Sequence, residues 1–195
     1  MDFKTFVIDY LKNPNSDENL FHEKIISLEE AAFLEALESI LELSVDDTIG
    51  KKEGLKVLTL FMNAFDSKIE KKAQIMDAIV KLKTYKAISI FVDFITEPGP
   101  EMQEDNEAIK YYYEIKNTVF DVLTEMAWNK TKALNGLFRI VEIGSQEIKI
   151  EAVKRIKNLY SEKPKEELLQ MIAEEAQKQG ENSLLYELYT QLKSS

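Results

Sequence analysis

Three stretches of this chain lay apolar residues along a helix side in nearly the same way, and this recurrence restricts the fold more than any other feature. Ile69, Ala73, Met76 and Val80 follow at steps of four, three and four. Ile115, Val119, Val122 and Met126 repeat those steps, and Ile148, Ala152, Ile156 and Leu159 follow at four, four and three. At about 3.6 residues per turn, such spacing collects each set on one face. Each stripe opens on isoleucine and has a small or β-branched residue one turn later. A helix of this kind gains most of its stability by packing that face on a neighbour. The stripes start 46 and 33 residues apart. The shorter interval suits a two-helix repeat, and an insertion at 96–107 accounts for most of the extra thirteen residues in the longer one.

The intervening segments also predict helices. Residues 3–12 carry Phe3, Phe6, Val7, Tyr10 and Leu11 on one side, and Asn13-Pro14-Asn15 breaks the run. A second short helix is expected over Asp17–Ile26. Ser27 and Glu30 match a capping box that would start a helix to Leu43, with Ala31, Leu34, Leu37 and Leu41 inward and Phe33 and Ile40 widening the stripe. Helices follow over Lys51–Phe65, from a second capping box at Ser67 and Glu70 to Lys83, and from Thr84 with Ala87, Ile90, Phe91, Phe94 and Ile95 inward. After the loop come helices over 107–127, 130–142 and 146–160, with Gly144 placed as a C′ glycine. Pro164 and Gly180 bracket the next helix, and Asn182 is placed to cap the last.

Ile69–Ala73, Ile115–Val119 and Ile148–Ala152, with the small-residue patterns around Ala87 and Ala133, carry a resemblance over residues 51–193. The chain there resembles the HEAT/armadillo-like superfamily of α-helical repeats. The resemblance implies an all-α fold, a right-handed α-α solenoid of about five helix pairs. Residues 1–195 would form a single repeat domain. Its acidic N-terminal helices, 1–50, would act either as a cap or as a separate binding arm, and 51–195 would be HEAT-like pairs with an acidic inserted loop at 97–107. The chain departs from the family pattern in two ways. Its first helices lack proline, and Glu70, Lys116 and Lys149 stand where the family places arginine. The subfamily is therefore open.

Charge is unevenly distributed within a net −10. Residues 1–50 hold twelve acids and three bases, and 97–107 hold five acids and no base. Residues 51–96 and 108–160 are mildly basic, with nine bases each against five and six acids, and 161–195 is acidic. With no cysteine, disulfides, thiolate nucleophiles and thiolate metal sites are excluded. The N-terminus lacks a signal-peptide pattern and no apolar run is long enough for a membrane span, so a cytoplasmic protein away from membranes is expected.

The residues that carry chemistry are sparse. His22 is the sole histidine and has no metal-ligand or triad spacing around it. No glycine-rich phosphate loop is present, and the pairs Glu29–Glu30, Asp46–Asp47 and Glu174–Glu175 read as solvated positions. We therefore expect no catalytic, cofactor or metal site. Trp128 reads as a core plug, since tryptophan is usually mostly buried. Tyr111 and Tyr112 read as inward-facing, whereas Tyr113 projects beside the acidic insert, either to contact a partner or to lie over the loop and pin it down. Lys71, Lys81, Lys154 and Lys157 lie away from their apolar stripes.

These features point to a non-enzymatic solenoid scaffold that binds another protein through its groove, with Lys71, Lys81, Tyr113, Lys154 and Lys157 as partner-binding residues. One alternative is a HEAT-like DNA-binding enzyme of the alkylated-base glycosylase type, an activity the resemblance permits. It would draw on Asp77, Asp121 and Trp128. The strong overall acidity and the presence of only two arginines, Arg139 and Arg155, speak against nucleic acid. A second alternative is an acidic inhibitor or immunity-type protein that masks a basic partner with residues 1–50.

Overall fold

The computed structural model describes residues 2–13, 17–101, 106–162 and 166–194. Among the described residues the chain is all-helical, with eleven α-helices, one 3-10 turn at Tyr85–Ala87 and no strand. The helices are α1 (Phe3–Lys12), α2 (Glu18–Ile26), α3 (Glu30–Val45), α4 (Gly50–Ala64), α5 (Ile69–Lys81) and α6 (Ile88–Thr96). They continue with α7 (Glu107–Ala127), α8 (Thr131–Ile143), α9 (Gln146–Glu162), α10 (Glu166–Gln179) and α11 (Leu184–Lys193). None of the described helices is long and apolar enough to cross a membrane. The break expected at Pro14 and Asn15, residues 102–105 of the acidic loop, and Pro164 lie outside the described residues.

The residues fall into two compact units. One comprises Met1–Ala87 and Pro100–Lys116; the other comprises Ile88–Gly99 and Asn117–Ser195. The division therefore passes through α7 after Lys116.

In the first unit α1 packs on α3, α2 on α4, α3 on α4 and α5, and α4 on α5. Phenylalanine rings fill the space between them. Phe61 meets Phe3 edge-on and Phe33 at a tilt, each with ring centroids 5.9 Å apart. Phe33 meets Phe65 edge-on at 5.2 Å, and Phe6 stacks on Phe21 at 5.1 Å. Aromatic pairs in these geometries add to the gain from simple burial.

The second unit holds α6, the rest of α7 and α8 to α11. Within it α6 packs on α8, α8 on α9, and α11 on α8, α9 and α10. Its core includes Leu137, Ile140, Ala152, Ile156, Ile172, Ala176 and Leu185, all fully buried. Arg155 ties α9 to α7. Its Nη1 donates to Asp121 Oδ1 at 2.5 Å, its Nε to Glu151 Oε1 at 3.0 Å, and the guanidinium lies 4.4 Å from the Phe120 ring centre. Only 16% of the Arg155 side chain is exposed, whereas Asp121 is 69% exposed. Water screening on the Asp121 side limits the ion pair, so most of the loss on truncation comes from packing. Arg155→Ala should cost about 1–2 kcal/mol in urea unfolding, and Asp121→Asn less than half of that. Equal costs would show that charge rather than packing holds this contact.

Several local expectations are corrected by the structure. Neither capping box forms. Ser27 closes α2 instead, its hydroxyl donating to the Lys24 carbonyl at 2.8 Å, and α3 begins after Glu29 with no side-chain cap bond. Lys68 rather than Ser67 precedes α5, again without a side-chain bond. The buried face of α3 is Phe33, Ala36, Leu37, Ile40, Leu43 and Ser44, while Leu34 is 41% exposed. In the segment after Thr84, Ile88 and Val92 are buried and Ile90 is only half-buried, because the chain begins with a 3-10 turn before α6. Ser183, not Asn182, caps α11 by accepting from the Tyr186 N–H at 3.1 Å. Gly144 does end α8, but in an extended rather than left-handed conformation. A side chain is excluded there by the Ile140 carbonyl, 2.8 Å from where a Cβ would lie. Gly180, at φ +92, is the glycine that uses the left-handed region to stop a helix.

Candidate functional site

In the second unit, α9 and α11 present a shallow groove of about 220 Å³ lined by Ile150, Val153, Lys154, Lys157, Leu184, Glu187, Leu188 and Gln191. The stripe of α9, Ala152, Ile156 and Leu159, is buried on the opposite side of these residues. Ile150 stands two residues after Ile148, roughly 200° round the helix, and is therefore turned out of the core. It is 42% exposed. Leu188 is buried and forms the floor with half-buried Val153 and Leu184. Lys154 and Lys157, both exposed, stand on the α9 side, with Glu187 on the α11 side. Lys154 Nζ lies 3.9 Å from Glu151, a loose pair that leaves its side chain 67% exposed. Two of the lysines selected from sequence are thus brought together on an apolar floor.

The other selected residues are used differently. Lys71 on α5 is drawn inward, with its ammonium 4.6 Å from the Phe33 ring centre, 4.5 Å from that of Phe65 and 3.9 Å from Glu30. Such a cation held over two rings contributes to the packing of its own unit. Lys81 is 61% exposed and pairs with Asp77 at 2.6 Å, one turn earlier on α5. Tyr113 is half-buried, and its hydroxyl donates to the Pro100 carbonyl at 2.7 Å, fastening the start of the acidic loop to α7. Of its neighbours, Tyr112 is buried and Tyr111 half-buried. Burial raises the pKa of the Tyr111 phenol, and the Asp77, Glu114 and Glu70 carboxylates add to the effect. His22 is exposed on α2.

Trp128 is not the core plug expected. It is half-buried at the end of α7, where it lines a cavity of about 340 Å³ with Ala127, Asn129, Lys130, Thr131, Leu134, Leu159, Glu167, Leu168 and Met171. Asp121 is not among the lining residues; its carboxylate is taken by Arg155. Asp77 is held by Lys81 in the first unit. The carboxylate that does reach the cavity is Glu167, which sequence reading passed over as one acid among 35. Among the described residues no group of three or more His, Cys, Asp or Glu side chains is arranged to hold a metal ion.

Set against family models, curated proteins and solved structures, the chain matches none.

Proposed function

We propose that the chain is a protein-binding helical scaffold that receives an acidic amphipathic helix of a partner in the α9–α11 groove. The observation that carries this reading is the placement of Lys154 and Lys157 beside the apolar surface of Ile150, Val153, Leu184 and Leu188. A partner helix would seat one large apolar side chain on that floor. Its acidic residues, one turn away on either side, would meet the two lysines. Apolar anchoring supplies most of the affinity in such helix-in-groove contacts, and the rim charges supply orientation and on-rate.

The helix packing supports a HEAT-like arrangement for each unit. A helix in a stacked series of hairpins touches its sequence neighbour and the next helix but one. The pairs α1–α3, α2–α4 and α3–α5 in the first unit follow this rule, as do α6–α8 and α9–α11 in the second. Right-handed stacking of this kind is part of the same proposal.

The test is affinity capture from lysate of the source cells at low and moderate salt, beside a duplex DNA control. The captured protein is then titrated against Lys154→Glu/Lys157→Glu, Ile150→Asp and, as a charge control on α4 of the first unit, Lys52→Glu. We expect the double reversal and Ile150→Asp each to weaken the partner at least tenfold, with Lys52→Glu unchanged. Equal binding by all variants overturns the groove. Retention of DNA that salt releases, without a protein partner, replaces the reading with a nucleic-acid function.

A further inference from the structure

A second row of residues runs along α3, separate from the one that faces the core. Ala31, Leu34, Glu38, Leu41 and Val45 follow at steps of three, four, three and four. This is the spacing of the a and d positions in a coiled-coil seam. The core-facing side of α3 is a different set, Phe33, Ala36, Leu37, Ile40, Leu43 and Ser44. In the second row Val45 is 66% and Leu34 41% exposed, Ala31 and Glu38 are exposed, and Leu41 is half-buried.

The acids of α3 define what fits this row. Glu38 interrupts it at the midpoint, and a polar residue at such a position sets register and partner. Glu35 and Glu42 stand at the e positions beside the row, and Glu30 at a g position. Glu42 is held by Lys4 of α1, and Glu30 by Gln74 and Lys71 of α5. Glu35 and Glu38 have no ion-pair partner among the described residues. Lys24 of α2, which lines a shallow pocket with Glu35, offsets only part of their charge. A second copy of the chain suits the row poorly. Pairing two copies about a two-fold axis through the midpoint, parallel or antiparallel, sets Glu38 against Glu38. We infer that this face of α3 docks a basic amphipathic helix of a partner protein. Its apolar seam would cover Leu34, Leu41 and Val45, with a cation opposite Glu38 and further basic residues facing Glu35. The face shares no residue with the α9–α11 groove and takes a partner of opposite charge, so it stands independently of that site.

The experiment uses the full chain and a labelled synthetic peptide of about three heptads, with leucine at a and d, one central lysine at a, and lysine at e and g. A counterpart carries glutamate in place of every lysine. Fluorescence anisotropy is read at physiological ionic strength, where exposed charges are largely screened beyond about 8 Å. The lysine peptide should bind saturably, and the glutamate peptide about tenfold or more weakly. Leu34→Gln/Val45→Gln should weaken the lysine peptide by a similar factor. Glu35→Lys/Glu38→Lys should reverse the preference between the peptides, which a loss of folding could not produce. Glu147→Lys/Glu181→Lys, the same change of charge in the second unit, should leave the preference as it was. Circular dichroism checks that the variants keep their helices. The inference is overturned if the lysine peptide does not saturate, if the glutamine variant binds it as well as the unsubstituted chain, or if the charge swap behaves like its control. Sedimentation over a range of concentrations tests the other occupant. A dimer lost in Leu34→Gln/Val45→Gln would give the face to a second copy and overturn the docking of a partner.

Discussion

Replacing Phe61 by alanine should lower the stability of the first unit by about 3–5 kcal/mol, among the largest losses a single truncation can produce here. Phe61 is fully buried on α4, where its ring meets Phe3 of α1 and Phe33 of α3. Truncation removes the burial of the ring, leaves a cavity that three helices cannot easily close, and breaks two aromatic contacts. Phe61→Leu keeps most of the volume and should cost roughly half as much. Leu20→Ala is the control: Leu20 is 60% exposed on α2, and its loss should stay within about 0.5 kcal/mol. Chemical unfolding followed by far-UV circular dichroism gives the ranking. If Phe61→Ala and Leu20→Ala shift the midpoint equally, the phenylalanine cluster does not hold this unit together.

Much of the helical layout was legible because it depends on local signals. Gly180 stops α10 through backbone conformation, and the Ile148–Leu159 stripe identifies the buried face of α9. The face of α3 was not legible. Ala31, Ala32, Phe33, Leu34, Ala36, Leu37, Ile40, Leu41 and Leu43 place apolar atoms nearly all round that helix, so periodicity selects no single side. What selects it is the meeting of Phe33 with Phe61 and Phe65, residues roughly thirty positions away along the chain. The capping boxes failed because the helices start elsewhere: Ser27 is the C-cap of α2, its hydroxyl turned back to donate to the Lys24 carbonyl, and α3 and α5 begin after Glu29 and Lys68.

The candidate sites show the same division. The exposure of Lys154 and Lys157 followed from the α9 stripe, but their apolar partners Leu184 and Leu188 come from α11, and only packing brings them alongside. Lys71 shows how exposure can mislead. It lies off the Ile69–Ala73–Met76 stripe, yet its flexible stem folds back over two rings. For the Trp128 cavity, Leu159 belongs to the α9 stripe, and nothing in the sequence sets Leu134 or Met171 apart. A gap left where residues of α7, α8, α9 and α10 meet is a property of how side chains fill space, which periodicity does not encode.

Gly54 provides the second large effect, and its sign opposes what helix propensity alone would give. Gly54 is buried within α4, where alanine would ordinarily favour the helix by about 1 kcal/mol. Here an added Cβ would lie 2.0 Å from the Ser44 hydroxyl oxygen and 3.0 Å from the Ser44 Cβ. Ser44 is 1% exposed, and its hydroxyl already donates to the Ile40 carbonyl at 2.6 Å. Rotating the hydroxyl away leaves the Cβ contact in place, so α3 and α4 must move apart. Overpacking of this kind costs up to about 3 kcal/mol, which outweighs the propensity gain and leaves Gly54→Ala destabilised by about 2 kcal/mol. The cause can be isolated by emptying the opposing position. Ser44→Gly should itself be destabilising by about 1 kcal/mol through backbone entropy. In Ser44→Gly/Gly54→Ala the two costs should not add, because the new methyl fills the space the serine vacated. The double variant should be at least as stable as Gly54→Ala alone, giving a favourable coupling of about 1–2 kcal/mol. Additive losses in that cycle would mean that the two helices do not meet through Gly54 and Ser44, and the packing of α3 on α4 would have to be redrawn.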